Sequence, residues 1–184
     1  MKEKVNLLIL PGDGICPEVC IPVKKIINCL NNFTNIEFSI EEDLVGGCSY
    51  DEFKLPITEK VISKAKASDG ILLGAVGAPK YENLPFDLRP ERGLLKLRKE
   101  LELYANIRPA KVFNSLADAS SLKPDIVKNM DIVVLRELTG GIYFGEPRGI
   151  FELDDGQKKG INTEVYTTNE IVRLGRIGFE IANL

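Results

Sequence analysis

Short apolar runs alternate with amphipathic stretches through the first hundred residues. Residues 5–10 form an apolar run halted by Pro11-Gly12-Asp13-Gly14, the pattern of a buried strand entering a turn. Pro17 suits a first helical turn, and Val19, Val23, Ile26, Ile27 and Leu30 follow at helical spacing. A second strand is expected at residues 36–40 and a helix over 58–67, opened by Thr58 as cap. A third strand at 70–73 runs into the glycine-rich GAVGAP. Strand, helix, strand, helix, strand predicts an α/β fold with a mostly parallel sheet covered by helices. Ligands of such sheets sit beyond the carboxyl ends of the strands, where PGDG and GAVGAP both fall.

After Asn83-Leu84-Pro85 the pattern changes. A helix is expected over 93–104, an extended segment over 106–112 and a strand over 131–138. Two short β runs near 150–153 and 163–166 flank Asp155-Gly156 and predict a long-looped hairpin. Thr167 and Glu170 have capping-box spacing before an amphipathic helix over 171–182. That helix ends without a cap glycine, and its apolar face (Ile171, Leu174, Ile177, Gly178, Ile181) needs a partner. The expectation is a longer natural chain, divided here into a first α/β domain over 1–103 and a second over 104–184.

Composition narrows the chemistry. The 184 residues include no His, which excludes a Ser-His-Asp triad, a His base and His metal ligands within this chain. The net charge of −3 gives no cationic field for nucleic acid or anionic lipid. Cys16, Cys20, Cys29 and Cys48 contain no C-x-x-C pair and read as buried free thiols. The opening apolar run is too short for a signal peptide or membrane span, so a cytoplasmic location is expected.

Gly12-x-Gly14 after a strand invites a dinucleotide fingerprint, with Glu41, Glu42 or Asp43 as the ribose acid. Pro17 occupies the third glycine position, however, and the motif fails. Glu91, Leu94, Leu95 and Arg98 share one helical face that suits a ligand half apolar and half anionic; the alternative is core leucines with Arg98 reaching outward. Arg108 is held extended by Pro109, and Arg136 stands inside an apolar strand where an unpaired charge is costly. Three guanidinium forks suit a dicarboxylate. Tyr143, in TGGIYFG, either aims its hydroxyl into that anionic site or is a hairpin core aromatic.

The strings LPGDGICPEV, GAVGAPKYENLP, PERGLLKLRKELELYANIRPAKVF and VLRELTGGIYFGEPRG resemble the isopropylmalate dehydrogenases, within the isocitrate/isopropylmalate dehydrogenase family of decarboxylating β-hydroxyacid dehydrogenases. The resemblance runs the whole length and corresponds to the N-terminal half of that family's chain. It implies a two-domain fold that is not Rossmann-type, incomplete here, and NAD-dependent oxidative decarboxylation of 3-isopropylmalate in leucine biosynthesis. By the same resemblance Arg98, Arg108 and Arg136 hold the malate carboxylates, Tyr143 is the catalytic tyrosine, and Glu91, Leu94 and Leu95 form the isopropyl pocket. Ile15 and the run Ala78, Pro79, Lys80, Tyr81, Glu82, Asn83, Leu84, Pro85, Phe86, Asp87, Leu88, Arg89, Pro90 and Glu91 match segments that contact NAD.

The resemblance further implies a Mg2+ or Mn2+ ion, with the lysine and the metal-binding aspartates lying past residue 184, so that this chain alone is inactive. It implies a homodimer whose arm spans about 144–166, a small dicarboxylate substrate, and no nucleic-acid or membrane partner. Two departures stand out: Cys16 and Ala78 replace family glycines in GDGIGPEV and GAVGGPK, adding bulk beside the cofactor loop. A sister dehydrogenase for tartrate, homoisocitrate or isocitrate, or a non-catalytic remnant that binds an anion or a partner subunit, are the alternatives. Leu94 and Leu95 offer no hydrogen bonds to a third carboxylate, which favours the isopropyl substrate.

Overall fold

The computed structural model describes residues 2–184. The chain divides into two compact units, the first ending at Leu101 and the second spanning Glu102–Leu184.

In the first unit, β1 (Glu3–Gly12), α1 (Cys16–Phe33), β2 (Ile36–Glu42), α2 (Gly47–Phe53), α3 (Glu59–Ala67), β3 (Gly70–Ala75) and α4 (Pro90–Glu100) follow in order. The strands form a parallel sheet in the order β2-β1-β3, with Leu7 opposite Ile40 on one side and Gly70 on the other. Side chains alternate across β1, and both faces are apolar, as a sheet covered on both sides requires. Leu8 and Leu10 enter a core with Val45, Ile57, Val61, Ile62, Ala65 and Leu97, while Ile9 faces Cys20 and Ile27 of α1. Each fully buried Leu or Ile contributes about 1.5–3 kcal/mol by leaving water. Thr58 caps α3 by accepting from the Val61 N–H at 3.4 Å. Of the four thiols, all free, only Cys20 is buried and Cys29 is exposed; α1 turns position 29 outward, which corrects the expectation of four buried thiols.

Two elements here differ from the periodicity. Helix α4 begins at Pro90, which fills a first-turn position, and stops at Glu100 rather than near Tyr104. Glu102 takes the left-handed φ of 51°, which ends the helix. Helix α2 carries no recognisable apolar repeat, and its cap is supplied from elsewhere in the chain. The N–H groups of Gly47 and Cys48 both donate to the carboxylate of Asp13, each at 2.7 Å. A cap borrowed across thirty-four residues leaves no local signature.

In the second unit, β4 (Ala105–Lys111) pairs antiparallel with β5 (Asp131–Glu137), with α5 (Pro124–Val127) between them. A hairpin of β6 (Gly149–Glu152) and β7 (Lys158–Ile161) follows, then α6 (Thr168–Ala182). The second hairpin strand therefore falls earlier than residues 163–166, because the turn is tight: Leu153 donates to Gln157 and Gly156 adopts φ 82°. Lys158-Lys159-Gly160 is too polar to read as a strand, yet lysines are well suited to an exposed edge. The capping box at α6 forms, with Thr167 Oγ1 accepting from the Glu170 N–H and Glu170 accepting from the Thr167 N–H at 2.6 Å. Gly178 of α6 lies against Leu135, where a Cβ would stand 3.1 Å from a methyl of that leucine. No residue of α6 is buried, and Ile107, Ile132, Val133 and Val134 of the β4–β5 ribbon are exposed.

Candidate functional site

In the first unit, Glu91, Leu94, Leu95 and Arg98 all lie on α4 and share a face. The fully buried leucine of α4 is Leu97, at 2% exposure; Leu94 and Leu95 are half-buried, so neither is a core leucine. Their methyls remain available to an apolar ligand. The Glu91 carboxylate stands over the loop after β3, where a Cβ on Gly77 would come within 2.8 Å of it.

The segment leading into α4 is anchored on α2. Asp51 accepts from Lys80 Nζ at 2.7 Å and from the Tyr81 hydroxyl at 2.8 Å. These two bonds hold the Asp51 carboxyl below its ordinary range, and the Asp51 carboxylate together with the Tyr81 hydroxyl raises Lys80. Burial of the ring is the main reason the Tyr81 phenol is pushed up. Farther along, Arg92 covers the Phe86 ring at 4.8 Å and Arg89 Nε donates to the Leu84 carbonyl at 3.3 Å. Ala78 adopts an extended φ of −157°, open to any residue, so the missing glycine brings no backbone strain. Cys16 is accommodated by Gly74, where a Cβ would meet the Cys16 side chain at 2.9 Å.

Ile15 is 68% exposed, and Gly14 beside it has nothing within 4 Å of a Cβ position. An exposed apolar side chain next to open space, in a turn that Asp13 ties to the loop after β3, fits a flat ring with a polar tail, as NAD has. The failed fingerprint is consistent with the charges at the end of β2, which are committed elsewhere. Glu42 pairs with Lys24 at 2.7 Å, while Lys64 pairs with Glu41 and with Asp43 at 2.7 Å.

In the second unit, the pairing of β4 with β5 sets Asn106 directly opposite Arg136. Arg108 is two residues beyond Asn106 and therefore on the same face of the ribbon. Its Nε donates to Asn106 Oδ1 at 2.7 Å. Arg136 is exposed rather than embedded in an apolar strand, so the burial cost expected for it does not arise. Its guanidinium donates to the Tyr143 hydroxyl and lies 5.2 Å from the centre of the tyrosine ring. Tyr143 is thus half-buried beside a cation, not a hairpin core aromatic. Arg98 belongs to the first unit; Arg108, Arg136 and Tyr143 belong to the second.

The turn that presents Tyr143 is organised by a residue that sequence reasoning passed over. Glu137 closes β5 and accepts from the N–H groups of Thr139 and Gly140, each at 2.7 Å, from Thr139 Oγ1 at 2.6 Å and from Arg173 of α6 at 3.3 Å. Burial alone would raise this carboxyl, but the Thr139 hydroxyl, the two N–H groups and Arg173 outweigh it and leave it below the ordinary carboxylate range. Gly141 follows at φ 68°, where a Cβ would collide with the Tyr166 hydroxyl. A cavity of about 730 Å3 opens beside the turn, with Arg136, Tyr143, Leu135, Ile142, Leu174 and Gly175 in its lining. Two guanidiniums on one face have the geometry to hold a carboxylate, and one of them donates to the Tyr143 hydroxyl.

Among the described residues, no group of three or more Cys, Asp or Glu side chains is placed to hold a metal ion, and no helix is long and apolar enough to cross a membrane. The donor set for a divalent cation is therefore not supplied by these residues.

A sequence model described as isocitrate/isopropylmalate dehydrogenase matches residues 6–184. A 3-isopropylmalate dehydrogenase of Pelagibacter ubique is 58% identical over 180 residues, covering 98% of this chain and 49% of the relative. That of Paramagnetospirillum magneticum is 55% identical over 177 residues, covering 96% and 48%. Among solved structures, isocitrate dehydrogenase from Methylococcus capsulatus shares the fold with a TM-score of 0.72 at 22% identity, over 97% of this chain and 48% of that one. A β-decarboxylating dehydrogenase from Thermococcus kodakarensis gives 0.61 at 24% identity, over 96% and 45%. The chain spans about half the length of the curated relatives it matches. With a matched segment that covers nearly all of its length, and relatives more than half identical across it, the chain belongs to the isocitrate/isopropylmalate dehydrogenase family.

Proposed function

We propose that this chain carries the arginine, tyrosine and cofactor-loop part of an NAD-dependent 3-isopropylmalate dehydrogenase acting in leucine biosynthesis. The observation that carries the reading is the Arg136 guanidinium donating to the Tyr143 hydroxyl, on the ribbon face that also bears Arg108. The identity to relatives named 3-isopropylmalate dehydrogenase supports the substrate.

In this reading Arg98, Arg108 and Arg136 hold the two carboxylates of the malate unit, and Leu94 and Leu95 take the isopropyl group with Glu91 at the pocket edge. Burial of that group against the leucines contributes about 1.5–3 kcal/mol, whereas a third carboxylate there would lose its water without gaining a donor. Ile15 and residues 78–91 would hold NAD, which when bound would take the hydride from C2 while the hydroxyl proton passes to water. The bond from C3 to its carboxylate then breaks, carbon dioxide leaves, and the electron pair passes to the C2 oxygen as an enolate. Tyr143 delivers a proton to C3, and Arg136 faces the oxygen left behind, yielding 4-methyl-2-oxopentanoate. No step is assigned to a divalent metal, because these residues do not supply its ligands. A second copy of the chain is the partner, through the arm over 144–166, whose β6 strand exposes Ile150 and Phe151.

The test compares the chain alone with the chain co-expressed with the remaining half of the Pelagibacter relative, following NADH. The chain alone should give none. The pair should oxidise 3-isopropylmalate, and Leu94→Ser with Leu95→Asn should lower kcat/KM for it roughly 10- to 100-fold. A pair that turns over isocitrate better than 3-isopropylmalate overturns the substrate assignment.

A further inference from the structure

Asp13 lies in the turn after β1, two residues before Ile15, and is 6% exposed. A buried carboxylate needs donors, and here all are backbone N–H groups from separate segments. Oδ2 accepts from Gly47 and from Gly77, and Oδ1 from Cys48, each at 2.7 Å. The main chain of Asp13 adds two more ties: its N–H donates to the Ala75 carbonyl at 2.7 Å, and its carbonyl accepts from the Cys16 N–H at 3.2 Å. One residue thereby joins the turn bearing Ile15, the start of α2, and the loop from β3 that delivers Ala78.

The glycines around it are explained by the same contacts. A Cβ on Gly46, which has φ 86°, would come within 2.6 Å of Oδ2, and one on Gly47 would run into the Tyr81 ring. Gly77 donates to Oδ2 with φ 105°. On its far side α2 holds the same loop a second time, through Asp51 to Lys80 and Tyr81.

We propose that Asp13 is a positioning residue for cofactor binding: its carboxylate fixes the spacing between the Ile15 turn and the segment over 78–91, with α2 as the shared anchor and Asp51 as the second tie. This rests on reading those two segments as the NAD-contacting ones. The charge matters as well as the shape. An Asn at this position keeps one acceptor oxygen and turns an NH2 group toward at least one N–H, so the anchor opens on one side whichever way the amide lies.

The experiment titrates the wild-type chain, Asp13→Asn and Asp51→Asn with NAD, and follows amide hydrogen exchange by NMR. In Asp13→Asn, exchange at Gly47, Cys48 and Gly77 should accelerate, and the Kd for NAD should rise by at least about ten-fold, the scale of one lost charge-assisted bond. The N–H groups of the β1–β2 ladder should keep their rates, which a general loss of structure would not allow. Asp51→Asn, at an exposed side chain, should raise the Kd about two- to three-fold, as expected of a weaker surface tie. Unchanged affinity in a folded Asp13→Asn overturns the proposal. If that variant does not fold, unchanged affinity in Asp51→Asn together with unchanged exchange at Tyr81 overturns it instead. Failure of the wild-type chain to bind NAD defeats the cofactor reading of the two segments, a result distinct from both.

Discussion

Asp13 in the first unit and Glu137 in the second perform the same operation on different supports. Each sits where a strand ends, each accepts two or more backbone N–H bonds at 2.7 Å, and each holds a glycine-rich loop open for use. Beneath Asp13 lies a sheet covered on both faces, with Leu8, Ile9 and Leu10 at 1% exposure or less. Beneath Glu137 lies a two-stranded ribbon whose one packed helix buries no residue completely. The first loop is therefore held by polar ties upon a packed core. The second is held chiefly by polar ties, with Glu137, Thr139 and Arg173 joined to one another and Arg173 stacked 4.6 Å from the Tyr104 ring. A binding loop can be shaped by a carboxylate in either setting, but only the first is reinforced by hydrophobic burial.

The largest effect that breaks or upholds this contrast comes from core truncation. Leu10→Ala, at a side chain with no exposure, should cost roughly 2–5 kcal/mol through lost transfer energy and a residual cavity. Val134→Ala, half-exposed on the ribbon, should cost less than about 1 kcal/mol. Urea denaturation followed by circular dichroism measures both. Equal losses would mean that the ribbon is packed as tightly as the sheet.

Next in size is the tie itself. Glu137→Gln exchanges one acceptor oxygen for a donor facing N–H groups, and should destabilise the turn by about 1–3 kcal/mol, read as faster amide exchange at Thr139 and Gly140. The pH dependence follows from the lowered Glu137 carboxyl. A carboxyl whose folded value lies below its unfolded one stabilises the fold above the unfolded value and loses that contribution as pH falls through the folded one. The gap between wild type and Glu137→Gln should be full near neutral pH and close only as pH falls below the ordinary glutamate range. A gap that stays constant through acid would show that shape, not charge, is what position 137 supplies.

The same contrast explains what could be read from the chain before its fold was known. β1 and α3 were legible because their apolar residues enter the core, and burial imposes the period; α1 was legible from its spacing alone, since Val19, Ile26 and Leu30 are exposed and only Cys20 and Ile27 are buried. Thr58 and Thr167 were legible because their partners lie three residues away. Helix α2 was hidden because its cap is Asp13, and β7 because Lys158 and Lys159 suit an edge rather than a core. Among the site residues, Arg108, Arg136 and Tyr143 carried a chemical signal, and the ribbon register accounts for the shared face of the two arginines. Asp13 was missed because a carboxylate between two glycines reads as a turn residue, and Glu137 because an acid closing a strand reads as a solvated end. Only the fold reveals that their acceptors serve N–H groups from Gly77 or a guanidinium from Arg173.

The smallest predicted effect tests whether local signals suffice where burial is thin. Thr167→Ala removes the hydroxyl that accepts from the Glu170 N–H and leaves Glu170 to bond the residue 167 N–H alone. In a helix locked by a core, losing a cap costs about 1 kcal/mol and is spread over the whole domain. In α6, which has no buried residue, the same loss should fray the first turn locally. Exchange at Ile171 and Val172 should rise about five-fold, which is that 1 kcal/mol expressed as an equilibrium constant, while the β1–β3 ladder is unaffected. Arg173 lies in the second turn and reaches Glu137, so the fraying should stop there. If exchange instead accelerates through Ile181, the Arg173–Glu137 tie is too weak to pin the helix. The second unit would then depend on its cap rather than on the carboxylate that shapes the Tyr143 turn.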